Sequence, residues 1–208
     1  AGVKSMTSTS GPGFSLMMES VGLAVVTETP CVIANIQRAG PSTGLPTQGA
    51  QADMMQVKWG SHGDYEIIAI APSSPQEMFD LTITAFNLSE KYRTPVFIMS
   101  DEIVGHMSEK VVIPRATKIR TISRKKPAVP KNGFKPFKPG RNGVAPMPAI
   151  GDGYNVHVTG LTHNEKGYPE MSVDTQKEMM DRLLAKIRGN LDDIIMIEEY
   201  LLDDAEFA

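Results

Sequence analysis

The sequence predicts an α/β fold, an open and mostly parallel sheet with flanking helices. Three observations carry this. Residues 30–37 (PCVIANIQ), 66–71 (EIIAIA) and 94–100 (TPVFIMS) are short, nearly continuous apolar runs, as strands are when a sheet is covered on both faces. Between them the apolar residues recur at helical spacing. With 208 residues, 41% of them hydrophobic and 22% charged, the chain is large and apolar enough to bury one real core.

The elements follow in order. Residues 5–10 (SMTSTS) are short and β-branched, and Gly11-Pro12-Gly13 breaks them. A helix is expected over 14–26, apolar at Phe14, Leu16, Met17, Val21, Ala24 and Val25. The strand at 30–37 leads into a Gly/Pro/Ser/Thr loop, 38–48, and a helix over 50–58. After the strand at 66–71, Ser74-Pro75 opens a helix with proline in its first turn, its apolar pattern running through Met78, Leu81, Ile83, Ala85, Phe86 and Leu88. The strand at 94–100 ends at Asp101. A last helix, 174–188, has apolar residues at Met179, Met180, Leu183, Leu184 and Ile187 and must cover something.

Charge divides the chain. Residues 1–114 hold 6 basic and 11 acidic residues, 115–141 hold 10 basic and no acidic residues with four prolines, and 164–208 hold 12 acidic against 5 basic. We read a folded body (1–114), a basic Pro-rich connector (115–150) and a C-terminal extension (151–208) with an acidic arm. The prolines forbid regular helix across 127–139. The net charge of −3 excludes a chain drawn to nucleic acid by its overall balance. The connector is expected to lie on acidic surface, its own or a partner's. A single cysteine, Cys31, excludes an internal disulfide and any iron–sulfur cluster held by this chain alone. No apolar run reaches the ~18 residues of a membrane span, and no signal peptide is present, so a cytoplasmic protein is expected.

Ligands of open α/β sheets bind beyond the carboxyl ends of the strands, which directs attention to 10–14, 38–49, 60–64 and 101–109. In the first, Thr9-Ser10-Gly11-Pro12-Gly13 ends a strand and opens a helix. It allows close backbone approach to an anion, or is an ordinary turn with Ser10 as its cap. In the second, a buried strand delivers Arg38 into a loop stiffened by Pro41 and Pro46, where a guanidinium can fork onto a carboxylate or phosphate. His62 and His106 are expected to serve as hydrogen-bonding residues, and Asp101-Glu102 to cap a following turn. His157 and His163 lack a third partner at metal spacing, so no metal site is expected. Cys31 is expected to be an inert core thiol, and no GxSxG nucleophile occurs.

The stretch MTSTSGPGFSLMMESVGLAVVTETPCVIANIQRAGPSTGLPT, then SHGD, then SPQEMFDLTITAFNLSEKYRTPVFIMSDEIVGHMSEKVVIP and GDGYNVHVTGLTHNEKGYP, resembles the alpha subunit of 2-oxoacid:ferredoxin oxidoreductases, most closely the 2-oxoglutarate branch. The resemblance implies a thiamine-diphosphate pyrimidine-binding domain. It implies the oxidative decarboxylation of a 2-oxoacid to an acyl-coenzyme A, with electrons passing to ferredoxin. Arg38, Ser42 and Thr43 would bind substrate, with Arg38 on its carboxylate. Thr9, Ser10, Gly11, Pro12, Gly13 and Gly44 would wall the cofactor. A beta subunit, with gamma and delta subunits in some members, would supply the diphosphate and Mg²⁺ site and the iron–sulfur cluster, making the protein a dimer or hetero-oligomer.

The family's activating glutamate and its Tyr-Pro-Ile-Thr-Pro motif lie upstream of TSGPG, and this chain, opening at AGVKSMTSTSGPG, has neither. It reads as an internal piece of a longer subunit that would continue into a transketolase C-terminal-like domain, and is expected to be inactive alone. The alternatives are a non-catalytic binding module that docks an acidic partner through its basic connector, and a degenerate paralogue.

Overall fold

The computed structural model describes residues 2–197. The last eleven residues of the acidic arm lie outside that range. Strands β1 (Met6–Thr9), β2 (Cys31–Ala39), β3 (Leu45–Gly49), β4 (Ile68–Ile70) and β5 (Pro95–Asp101) form one sheet. Its order is β1-β2-β5-β4, all parallel, with β3 antiparallel to the end of β2. The helices are α1 (Pro12–Leu16), α2 (Met18–Val26), α3 (Met54–Trp59), α4 (Pro75–Tyr92), α5 (Glu102–His106), α6 (Val173–Arg188) and α7 (Leu191–Ile194). This is the doubly covered parallel sheet the apolar runs predict.

The period-2 geometry of β2 and β5 separates two cores. Val32, Ala34, Val96 and Ile98 pack against Ala85, Leu88 and Tyr92 of α4, joined by Val144 and by Ile187 of α6. Ile33, Phe97 and Met99 face Phe14, Met18, Val21 and Val57 from α1, α2 and α3. Phe14 and Phe97 meet edge to face at 6.0 Å. Each such side chain contributes about 1.5–3 kcal/mol by leaving water, which is why the segments flanking the sheet are held firmly.

Several boundaries differ from the sequence reading. The expected helix over 14–26 is two helices meeting at Met17, because Pro12 starts the first one early. The expected loop 38–48 is mostly a hairpin: β2 runs on to Ala39, and exposed β3 returns beside it. The helix expected from residue 50 starts at Met54, since 50–53 are fastened to the sheet instead. Ser74 caps α4 by accepting from the Glu77 amide at 3.1 Å, and Pro75 opens the helix.

Residues 107–172 hold no α-helix or extended strand. The connector nevertheless has fixed partners. It runs along α4, where Asn87 donates to the Arg120 carbonyl and accepts from the Ile122 amide, at 2.9 and 2.7 Å. Arg124 forks onto buried Glu90 through Nε and Nη2, each at 3.0 Å. Lys126 and Lys135 pair with Asp152 and Glu165. Arg93, buried in a left-handed cap at the end of α4, donates to the carbonyls of Pro136 and Ala145 at 3.0 and 2.9 Å.

Helix α6 packs onto the body, with Ile187 joining the core under α4. Its apolar stripe, Met179, Leu183 and Ile187, is buried. Beside that stripe Arg182 and Lys186 reach Glu28, which is 1% exposed. Burial alone would raise the Glu28 pKa. Lys186, then Arg182 and Arg93, outweigh it and hold the carboxyl down at about 2. Burial pushes Lys186 and Arg93 below their ordinary values, Arg93 to about 10.

Candidate functional site

Beyond the carboxyl ends of β1 and β2 lies a cavity of about 550 Å³, walled by Gly11 and Pro12 from the first loop, Arg38, Pro41 and Ser42 from the second, and Asp53 ahead of α3. Its position is the one that parallel α/β sheets reserve for ligands. The register of β2 and β3 shifts between Arg38 and Ala39, a bulge that turns the strand end out of the ladder. Arg38 is then fixed locally: Nη1 donates to the Thr43 carbonyl at 3.0 Å. Its Nε is buried and has no hydrogen-bond partner among the described residues. A buried donor left open in this way is stabilised when an acceptor arrives.

Gly11 makes room for that guanidinium. A Cβ built on Gly11 would stand 2.6 Å from both Nε and Nη2 of Arg38. The backbone there (φ 50, ψ −121) is also one that only glycine adopts without strain. On the far side, Ser42 and Gly44 both have positive φ, and a Cβ on Gly44 would meet the Ala39 carbonyl oxygen at 2.0 Å. The hairpin turn that carries Ser42 and Thr43 around Arg38 therefore depends on Gly44.

Of the residues singled out from sequence, Arg38, Gly11, Pro12 and Ser42 line one cavity. Thr43 contributes a carbonyl, and Gly44 shapes the turn. Thr9 and Gly13 lie behind the wall, Thr9 Oγ1 filling the space a Gly13 side chain would need. The reading of Ser10 as a cap is corrected. Gly11 precedes α1 with no side-chain cap, and Ser10 Oγ donates to the Ile36 carbonyl at 2.7 Å, tying the loop to β2.

Sequence reasoning missed the polar row beneath the cavity. Asn35 and Gln37 sit on one face of β2 and are fully buried. Asn35 Nδ2 donates to Asp53 Oδ2 at 2.9 Å, and the Asp53 amide donates to Gln37 Oε1 at 3.3 Å. One strand away, Asp101 accepts from Gln51 Nε2 at 2.9 Å and from the Val104 amide at 2.9 Å, capping α5. Gln56 Nε2 donates to Ser15 Oγ, joining α3 to α1 across the cavity rim. The available signal was two carboxamides at alternate positions of an otherwise apolar strand.

The remaining candidates lie elsewhere. His62 lines a groove between α2 and α6. His106 Nδ1 contacts the Glu102 carboxylate at 2.7 Å. His157 and His163 each bond a backbone carbonyl. Cys31 is partly buried, and burial raises its pKa. Among the described residues no group of three His, Cys, Asp or Glu side chains could hold a metal ion, and no helix is long and apolar enough to cross a membrane.

The cavity is walled by apolar surface at Pro12, Leu16, Ala39 and Pro41, and Ser15, Arg38, Ser42, Asp53 and Gln56 supply its polar groups. Residues 1–182 match the family described as the thiamine-diphosphate-binding region of pyruvate flavodoxin/ferredoxin oxidoreductase. The chain is 58% identical over 202 residues to the 2-oxoglutarate synthase subunit KorA of Methanocaldococcus jannaschii, covering 97% of this chain and 54% of that protein. It is 37% identical over 191 residues to the 2-oxoglutarate oxidoreductase subunit KorA of Mycobacterium tuberculosis, covering 90% and 29%. Among solved structures, 2-oxoglutarate:ferredoxin oxidoreductase from Magnetococcus marinus, with 2-oxoglutarate, coenzyme A and succinyl-CoA bound, superimposes with a TM-score of 0.86 at 33% identity. That match covers 92% of this chain and 33% of that one. The chain belongs to this thiamine-diphosphate-binding oxidoreductase family, and it spans about half the length of the archaeal KorA proteins it matches.

Proposed function

We propose that this chain is the cofactor- and substrate-binding part of the alpha subunit of a 2-oxoglutarate:ferredoxin oxidoreductase. The observation that carries the reading is Arg38: a guanidinium held from one side by the Thr43 carbonyl, with an open Nε, at the wall of an apolar cavity. Such a group binds a carboxylate by charge-assisted hydrogen bonds in a low-dielectric site, where they are strongest. The thiamine diphosphate, when bound, supplies the carbanion that adds to the 2-oxo carbon and the electron sink that lets carbon dioxide leave. Arg38 holds the substrate carboxylate, Gly11 and Pro12 let the cofactor ring approach the backbone, and the hairpin turn at Ser42–Gly44 keeps water from the reacting end. Ser42 and Thr43 lie on the substrate side, and Thr9, Ser10 and Gly13 stiffen the cofactor wall.

The reaction needs more than this chain holds. We assign the diphosphate and Mg²⁺ site and the iron–sulfur cluster to a beta subunit, with gamma and delta subunits, ferredoxin and coenzyme A completing the system. One cysteine, partly buried in β2, cannot hold a cluster by itself. The 2-oxoglutarate preference is drawn from the KorA relatives. A docking role for the basic connector finds less support, because Arg124, Lys126 and Lys135 are already paired within the chain.

The test is to purify the native full-length subunit with whatever accompanies it and assay reduction of ferredoxin. Reduction that requires 2-oxoglutarate, coenzyme A and thiamine diphosphate together is expected. An intact complex that reduces ferredoxin with none of the common 2-oxoacids would refute the reading.

A further inference from the structure

Asp53 stands at the position before α3 where an aspartate ordinarily caps the helix, as Ser74, Asp101 and Ser172 do for theirs. It makes no such bond. Its carboxylate is drawn instead toward β2, where Asn35 Nδ2 holds Oδ2 at 2.9 Å while the Asp53 amide is held by Gln37. Asn35 is fully buried, and in making this bond it leaves its own Oδ1 without a partner among the described residues. Two local rules are thus broken to keep one carboxylate in place: an available cap is forgone and a buried acceptor is left open. Violations of that kind concentrate where a side chain is held for a ligand. The side chain so held lines the same cavity as Arg38, and Oδ1 has no hydrogen-bond partner among the described residues.

We propose that Asp53 is the hydrogen-bond acceptor of the Arg38 cavity, taking an N–H donor of a bound cofactor, and that Asn35 is its positioning residue. The cavity then has two poles, a cation that takes the substrate carboxylate and an anion that takes an N–H group. This rests on the reading that the cavity serves a 2-oxoacid:ferredoxin oxidoreductase. In that setting two ligands carry such a donor: the amino group on the thiamine pyrimidine, and the amides of the coenzyme A pantetheine arm. A carboxylate at Asp53 repels the 2-oxoacid's own carboxylates, which excludes the substrate as its partner.

Equilibrium binding on the assembled full-length enzyme tests this, with thiamine diphosphate, coenzyme A and 2-oxoglutarate titrated separately by calorimetry. Asp53→Ala is expected to weaken one of the two cofactors by about tenfold or more and not to weaken 2-oxoglutarate, whose carboxylates it no longer repels. Which cofactor weakens identifies the donor. Asp53→Asn, which keeps an acceptor, should retain part of the affinity. Asn35→Ala should weaken the same cofactor, and the double variant Asn35→Ala/Asp53→Ala should be no weaker than Asp53→Ala alone. Unchanged affinity for both cofactors in Asp53→Ala would overturn the inference, as would an equal loss for all three ligands, which marks a structural role. A wild-type enzyme that binds neither cofactor would overturn the functional reading itself, a failure distinct from either.

Discussion

Arg38 and Gly11 come from different loops, yet a single methyl group added to Gly11 would stand 2.6 Å from the Arg38 guanidinium. The glycine of the first loop and the arginine of the second are thus one device. The strand end supplies the charge, and the missing side chain supplies the place where it rests.

Gly11→Ala is therefore expected to act in two ways. It strains a backbone at φ 50, ψ −121, a conformation that costs an L-residue on the order of 1–3 kcal/mol. It also pushes Arg38 out of the cavity wall. The melting temperature should fall by several degrees, and kcat/KM for the 2-oxoacid in the assembled enzyme should fall about tenfold or more. A variant that loses stability but keeps its 2-oxoacid KM would separate the two residues.

Glu28 anchors α6 to the body. Glu28→Gln leaves Lys186, Arg182 and Arg93 buried without their anion. Losing one partner of a buried pair costs about 3–5 kcal/mol, which urea unfolding would read directly. The pH dependence has a definite sign. The folded carboxyl is held at about 2, below its ordinary value of 4.5. Its stabilisation is complete above that ordinary value and is lost as pH falls toward 2. Stability of the wild type should drop across that window, and in Glu28→Gln that part of the drop should be absent.

The connector is pinned by one buried fork. Arg124→Ala removes both side-chain bonds to Glu90 and leaves that buried carboxylate only the backbone amide of residue 124. Limited trypsin digestion should then cut within residues 115–126 several times faster than in the wild type, with 2-oxoacid binding unchanged. Equal cleavage rates would show that Asn87, through its bonds to Arg120 and Ile122, and the amide of residue 124 on Glu90 suffice to hold the segment.

The parts legible in the sequence are those with a periodic or local physical signal. Residues 30–37, 66–71 and 94–100 announce buried strands because their runs are nearly continuously apolar, with Asn35 the polar exception inside them, and Ser74-Pro75 marks a helix start by its own chemistry. Arg38 was visible because a charge directly follows an apolar strand. Strand β3 was not, since LPTQG is fully exposed, carries a proline and owes its pairing to the turn at Ser42–Gly44. Asp53 was hidden because its meaning lies in Asn35 and Gln37, 18 and 16 residues away. The Glu28 cluster was hidden still further, since Arg182 and Lys186 are separated from it by 154 and 158 residues. Only their spacing of four beside a buried stripe hinted that α6 carries charge inward.

The central claim is that Arg38 receives the carboxylate of a 2-oxoacid. Its most direct test is kcat/KM for 2-oxoglutarate in the full assembled enzyme, wild type against Arg38→Ala and Arg38→Lys. Loss of a buried charge-assisted pair is worth about 2–5 kcal/mol, so Arg38→Ala should fall by roughly 30-fold or more. Arg38→Lys should recover only part, because an ammonium cannot reproduce the fork. A kcat/KM unchanged in Arg38→Ala, with thiamine diphosphate still bound, would contradict the assignment of the substrate carboxylate to this residue.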